Sequence, residues 1–209
     1  MKTALKNMII GLSLAGILTV GPVLMTKEQN TKVSEQKKEY ALQWPLDNFI
    51  ITQKFGENKN TLYGERGHCG LDLMSYFGAP VKAAADGIIF AKGSDECPNF
   101  DEPYCNYGFG NWVMIWHPRL KLHTVYSHLK EPSNKEVNSQ VKQGQIIGYE
   151  GGSGRQIDMP SGKEVVNDET RHHLDFMVGE FHIYQTFEGK TDFQVVELYN
   201  PLKFLPPLK

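Results

Sequence analysis

The chain has 209 residues, 40% of them hydrophobic, and its 22 basic and 24 acidic side chains leave a formal charge of −2. That length supplies one well-buried domain plus an appendage and excludes a second large domain. The near-neutral balance, with basic residues spread rather than massed, also excludes the electrostatic footprint of a nucleic-acid partner.

In chain order, Lys2 and Lys6 come first, followed by an uncharged, mostly apolar run from Met8 to Met25. Its length lies between a secretory apolar region and a short membrane span, so residues 1–25 read as a signal peptide or a membrane anchor. Both readings export the chain. Residues 26–43 are largely polar, mixed in charge and without apolar periodicity over most of their length, which suits a linker.

The folded domain is expected over residues 44–209. Its segments rich in β-branched and aromatic residues lie at 49–53, 80–84, 87–91, 112–116, 123–127 and 145–149, punctuated by Gly, Pro, Asn and Asp. No stretch after the N-terminal run holds a helical apolar stripe. The fold class is therefore all-β, and composition leaves sandwich and barrel both open.

Two short patterns carry chemistry. Gly67-His68-Cys69-Gly70-Leu71-Asp72 contains H-x-x-x-D, and His172-His173-Leu174-Asp175-Phe176 contains H-x-D. Together they offer one imidazole and two carboxylates to a metal, with a spare imidazole beside them, and Tyr126-Ser127-His128-Leu129 adds another. That inventory suits metal-assisted hydrolysis. On a strand, residues i and i+2 share a face, so His173 and Asp175 are expected to point into a groove while His172 and Leu174 point away. The same alternation turns Cys69 away from whatever His68 binds and makes it a small buried thiol.

Cys97 and Cys105 flank a turn-rich insertion, and export favours a disulfide between them. Residues 151–170 begin with glycines but lack a phosphate-loop pattern, and read as a flexible groove-edge loop. His117, His123, His172 and His182 read as ordinary core or surface residues. His182 is also a substitute ligand should Asp175 swing away, and Tyr126 either orients a substrate carbonyl or packs at a strand end.

Ile51-Thr52-Gln53-Lys54-Phe55-Gly56, the His68 segment and Gly78-Ala79-Pro80-Val81-Lys82-Ala83-Ala84-Ala85-Asp86-Gly87 occur in that order. They are followed by residues 107–115, Tyr126 to Leu129, Val141-Lys142-Gln143-Gly144-Gln145-Ile146-Ile147-Gly148, the His173 segment and Asn200-Pro201-Leu202. In this order the chain, from residue 44 to 205, resembles the LytM/lysostaphin-type M23 zinc peptidases, which cut peptide cross-links of bacterial peptidoglycan.

The resemblance implies an antiparallel β-sheet core of the duplicated-hybrid-motif kind, with a groove across one face. It implies a metal held by His68, Asp72 and Asp175, with His128 and His173 as unligated catalytic histidines. Peptidoglycan would be the partner in the cell envelope, the N-terminal segment would contact a membrane, and other cell-wall hydrolases are further candidate partners. The family motif H-L-H-F stands here as His173-Leu174-Asp175-Phe176. One His and two Asp around a divalent cation sum to roughly zero charge, where two His and one Asp leave about +1, so the cation becomes a weaker Lewis acid. Two oxygen ligands also shift preference from Zn2+ toward Mn2+. A catalytically degenerate module that binds peptidoglycan or regulates a hydrolase is the alternative.

Overall fold

The computed structural model describes residues 40–59, 65–94, 108–158, 163–166, 168–185 and 191–208. All lie in the unit Glu39–Lys209. The apolar run at 8–25 and the Cys97 and Cys105 pair fall outside the described residues. Among those described, no helix is long and apolar enough to cross a membrane.

Twelve strands are described: β1 (Ile50–Gln53), β2 (Leu71–Met74), β3 (Pro80–Lys82), β4 (Gly87–Gly93), β5 (Asn111–His117), β6 (Leu122–Leu129), β7 (Gln140–Val141), β8 (Ile146–Tyr149), β9 (Arg155–Asp158), β10 (Lys163–Val166), β11 (Leu174–Gln185) and β12 (Thr191–Tyr199). The helical content among the described residues is limited to single 3-10 turns such as Glu169–Arg171 and Pro201–Lys203. One eight-stranded sheet runs β1-β2-β11-β6-β5-β4-β7, with β12 also paired to β11. Its pairings are all antiparallel. The pairs β3–β8 and β9–β10 form separate two-stranded sheets. The expected all-β class holds.

Strands β5 and β6 are buried along almost their whole length because the sheet carries a core on each face. Alternation along the strands divides the side chains between the two. Val113, Ile115, Tyr126, Phe176 and Val178 join the larger cluster, completed by Leu42, Leu46, Val81 and Ile147. Trp112, Met114, Val125, Met177 and Phe181 join the smaller one on the opposite face. Fully burying one such aliphatic or aromatic side chain contributes roughly 1.5–3 kcal/mol, so both faces stabilise the sheet.

The strands follow the pattern read from composition, with shifted ends. Three differences have physical causes. Leu42 is fully buried and its N–H donates to Phe204 O, so the packed core reaches into the polar stretch. The long hairpin of β11 and β12 was not anticipated, because residues 194–197 of β12 are exposed and carry little apolar alternation. The glycine-led stretch 151–170 is not one loop, since β9 and β10 pair within it.

Candidate metal centre

Strand register creates the site. Asp72 on β2 lies opposite Asp175 on β11, and Asp175 lies opposite Ser127 on β6. The two carboxylates therefore share one sheet face, at the end of the row that continues as Met177 and Val125. His68 sits just before β2 and completes the set. Its Nε2 is 3.0 Å from Asp72 Oδ1 and 3.7 Å from Asp175 Oδ1. One ligand atom from each of the three residues lies within 4.8 Å of the others, and all three residues are buried.

The donors fit a divalent cation. Ligands about 2.1 Å from a tetrahedral zinc stand about 3.4 Å apart, close to the two distances from His68. Asp72 Oδ1 and Asp175 Oδ1 are buried without a well-formed hydrogen bond, and buried carboxylate oxygens carry a large desolvation cost unless something positive meets them. Gly70 makes the close approach possible, because a Cβ there would overlap Asp175 Oδ1 and Met177 Cγ.

Without a cation the charges lean on one another. Burial pushes the His68 imidazole down, but the close approach of Asp72, 3.0 Å away, and the charges of Asp175 and Asp72 outweigh it and raise it to about 9. Burial pushes Asp175 up to about 6, only partly opposed by His68, with Asp72 adding repulsion. Burial also acts on Asp72, yet the neighbouring His173 and His68 hold it below its usual value.

The two remaining histidines stand together, ring centroids 4.7 Å apart. His173 Nε2 is 3.8 Å from Asp72 Oδ1, and its Nδ1 is 3.0 Å from Arg171 O. His128 Nδ1 is 2.7 Å from Ser153 O. A carbonyl only accepts, so each ring donates from Nδ1–H, and in the neutral form leaves Nε2 as an acceptor. Burial, and then the neighbouring His173, press His128 down to about 3, so it is neutral at ordinary pH. His128 has φ +60°, a left-handed value that a non-glycine residue adopts only when its surroundings enforce it. Those surroundings include Ser153, whose hydroxyl donates to Leu129 O at 2.6 Å and accepts from Asn111 N at 2.9 Å.

Five residues singled out from sequence are thus brought together: His68, Asp72, Asp175, His128 and His173. Tyr126 is not among them. It is fully buried on the opposite face, its OH accepts from Ala84 N at 2.8 Å and lies 3.0 Å from Thr124 Oγ1, and burial pushes it up to about 12. The substrate-orienting alternative is thereby corrected: β6 alternation sends Tyr126 to the core side.

Cys69 also differs, because His68 and Cys69 precede β2 and strand alternation does not govern them. It is half-buried and borders a cavity of about 330 Å³ shared with His68, Arg66 and Glu197. His172 does turn away from the site, to Glu150. His117 is a core residue, 2.8 Å from Thr124 Oγ1. His182 is exposed and seven residues along β11 from Asp175, roughly 23 Å at strand rise, which removes it as a substitute ligand. Glu150 and Ser153 were missed. The one available signal was a lone charged residue ending the apolar run Ile146 to Tyr149.

Against known proteins, the pattern of peptidase family M23 matches residues 66–183, more than half of the chain. The chain is 34% identical over 129 residues to the DD-carboxypeptidase/endopeptidase Mpg of Neisseria meningitidis, covering 61% of this chain and 26% of that protein. It is 32% identical over 120 residues to the peptidoglycan DD-endopeptidase ShyC of Vibrio cholerae, covering 56% of this chain and 25% of that protein. The chain thus spans about a quarter of the length of these relatives. The solution structure of lysostaphin superposes with a TM-score of 0.50 and 27% identity, over 80% of this chain and 54% of that one.

Proposed function

Because this chain belongs to peptidase family M23, we propose that it is a metal-dependent endopeptidase that hydrolyses peptide cross-links of bacterial peptidoglycan. The observation that carries the reading is the buried trio His68, Asp72 and Asp175, with two carboxylate oxygens lacking a well-formed hydrogen bond, beside two histidines that keep acceptor nitrogens. His68, Asp72 and Asp175 would hold Zn2+, or Mn2+ given the two carboxylates. A cation held there would supply Lewis-acid polarisation of the scissile carbonyl and a more acidic water.

The protein's own groups do the rest. An Nε2 acceptor of the His128 and His173 pair takes the proton of the attacking water as its oxygen bonds to the carbonyl carbon. The imidazolium so formed donates to the developing oxyanion, and its proton passes to the amine nitrogen as the C–N bond breaks. Neutral His128 is in the acid-base form this role requires. The substrate assignment rests on the similarity to the peptidoglycan DD-endopeptidase ShyC and on the N-terminal apolar run, which would carry the domain to the envelope as a signal or an anchor.

Asp175 supports the second reading, a degenerate module, since a carboxylate in place of an imidazole at the third ligand position weakens the Lewis acid. The two separate experimentally. Incubation of the protein with purified peptidoglycan should release peptides ending at cross-links, and chelation should stop it. Absence of release with zinc, manganese and cobalt, together with a gain of cleavage in Asp175→His, would establish the module instead.

A further inference from the structure

Glu150 is a carboxylate with no solvent exposure, placed directly after the strand β8. Burying such a group gains nothing for stability that an apolar residue would not supply. Its partners come from the segments that carry the site. His172 Nδ1–H donates to Oε1 at 2.6 Å, and Ser75 N–H donates to both oxygens at 3.1 and 3.2 Å. Ser75 follows Asp72 on the same chain segment, and His172 immediately precedes His173. The main chain repeats the link: Glu150 bridges to Leu129, the residue after His128, and His173 N–H donates to Gly151 O at 3.1 Å. Phe77 meets the His172 ring edge at 5.9 Å and carries Lys130 Nζ 5.2 Å above its own face.

Among the described residues the His173 ring, by contrast, makes one hydrogen bond, at Nδ1 to Arg171 O. Its direction is therefore set largely through its backbone. His172 has φ −56° and ψ 140°, close to polyproline II, in which successive side chains are turned about 120° apart. Anchoring His172 on Glu150 therefore turns His173 toward Asp72 and His128.

We infer that Glu150 is a positioning residue which, acting through His172, holds the His173 ring in its working orientation. This deepens the hydrolase reading and its kinetic arm rests on it, so the test has a second arm that needs no turnover. In the full chain loaded with zinc and labelled with 15N-histidine, His173 should show one Nδ1–H tautomer. Glu150→Ala should convert it to an averaged, exchanging signal, while Glu150→Gln, whose amide oxygen still accepts from His172, should retain the single tautomer.

For turnover on cross-linked peptide, Glu150→Ala and His172→Ala should each lower kcat by roughly 10-fold to 100-fold with KM and bound zinc unchanged, and the double variant should be no worse than either. Glu150→Gln should return to within a few-fold of the parent. A His173 signal unaltered in Glu150→Ala overturns the inference, as does an undiminished Glu150→Ala effect in a His173→Ala background. If Glu150→Ala fails to fold, an unaltered His173 signal in His172→Ala overturns it equally. A parent protein that hydrolyses nothing would count against the hydrolase reading and leave the spectroscopic result to decide this one.

Discussion

His68 and His123 are both buried against the same face of the large sheet, yet their surroundings drive them in opposite directions. His68 stands beside two carboxylates and is raised to about 9. His123 lies farther along the face, opposite Gly179 on β11, packed by Trp116, Phe90 and Phe181; burial, and then the charge of His117, take it down to about 4. One sheet face thus holds a polar pit at one end and an aromatic clasp at the other. The difference teaches that burial alone does not mark a functional histidine; the neighbours it is buried with do.

The largest effects should come from dismantling the pit. His68→Ala and Asp72→Ala should each abolish bound zinc, measured by elemental analysis, and turnover with it. His128→Ala and His173→Ala should keep the zinc and lose about 10²-fold or more in kcat, since they handle protons rather than hold the ion. Loss of zinc in His128→Ala would erase that division.

A smaller effect should follow from crowding the pit. Gly70→Ala places a Cβ where Asp175 Oδ1 lies, so zinc affinity by competition titration should fall about 10-fold to 100-fold while His123 and its aromatic neighbours stay in place. An unchanged affinity would show that Asp175 is not held against Gly70 for the cation.

The clasp should announce itself through pH. His123 has a folded value below its unfolded one, so the fold favours its neutral form. Its contribution is complete above about pH 6.5 and is lost as pH falls toward about 4, costing on the order of 2–3 kcal/mol. Denaturant unfolding of His123→Phe at several pH values should show a shallower acid decline than the parent. Identical declines would mean that the clasp does not penalise the imidazolium.

The smallest effect concerns Tyr126. Tyr126→Phe strands the Ala84 N–H in the core and should cost about 1–3 kcal/mol in unfolding free energy with turnover intact. A drop in kcat would return Tyr126 to the substrate.

How far the sequence revealed this differs between the two ends. The shared face of His173 and Asp175 was legible because residues i and i+2 on a strand point the same way, whereas the ligand roles of His68, Asp72 and Asp175 and the place of His128 came from the family resemblance. The cross-strand register that places Asp72 opposite Asp175 was not legible, since pairing between segments a hundred residues apart depends on the whole sheet. The clasp was invisible for the same reason: His123 reads as an ordinary strand residue until β4, β5 and β11 surround it. Tyr126 was ambiguous because strand alternation is known only once the face of one residue is known. Glu150 escaped because its function lies in joining segments, and a lone acid before Gly151 carries no periodic signal.

The central claim is that the cation sits among His68, Asp72 and Asp175 while His128 and His173 face it without binding it. Anomalous scattering at the zinc edge from crystals of the zinc-loaded protein tests it most directly. A single peak is expected within about 2.0–2.2 Å of His68 Nε2 and of one oxygen each from Asp72 and Asp175. A peak bonded to His128 or His173 in place of Asp175, or no peak in that pit, would contradict it.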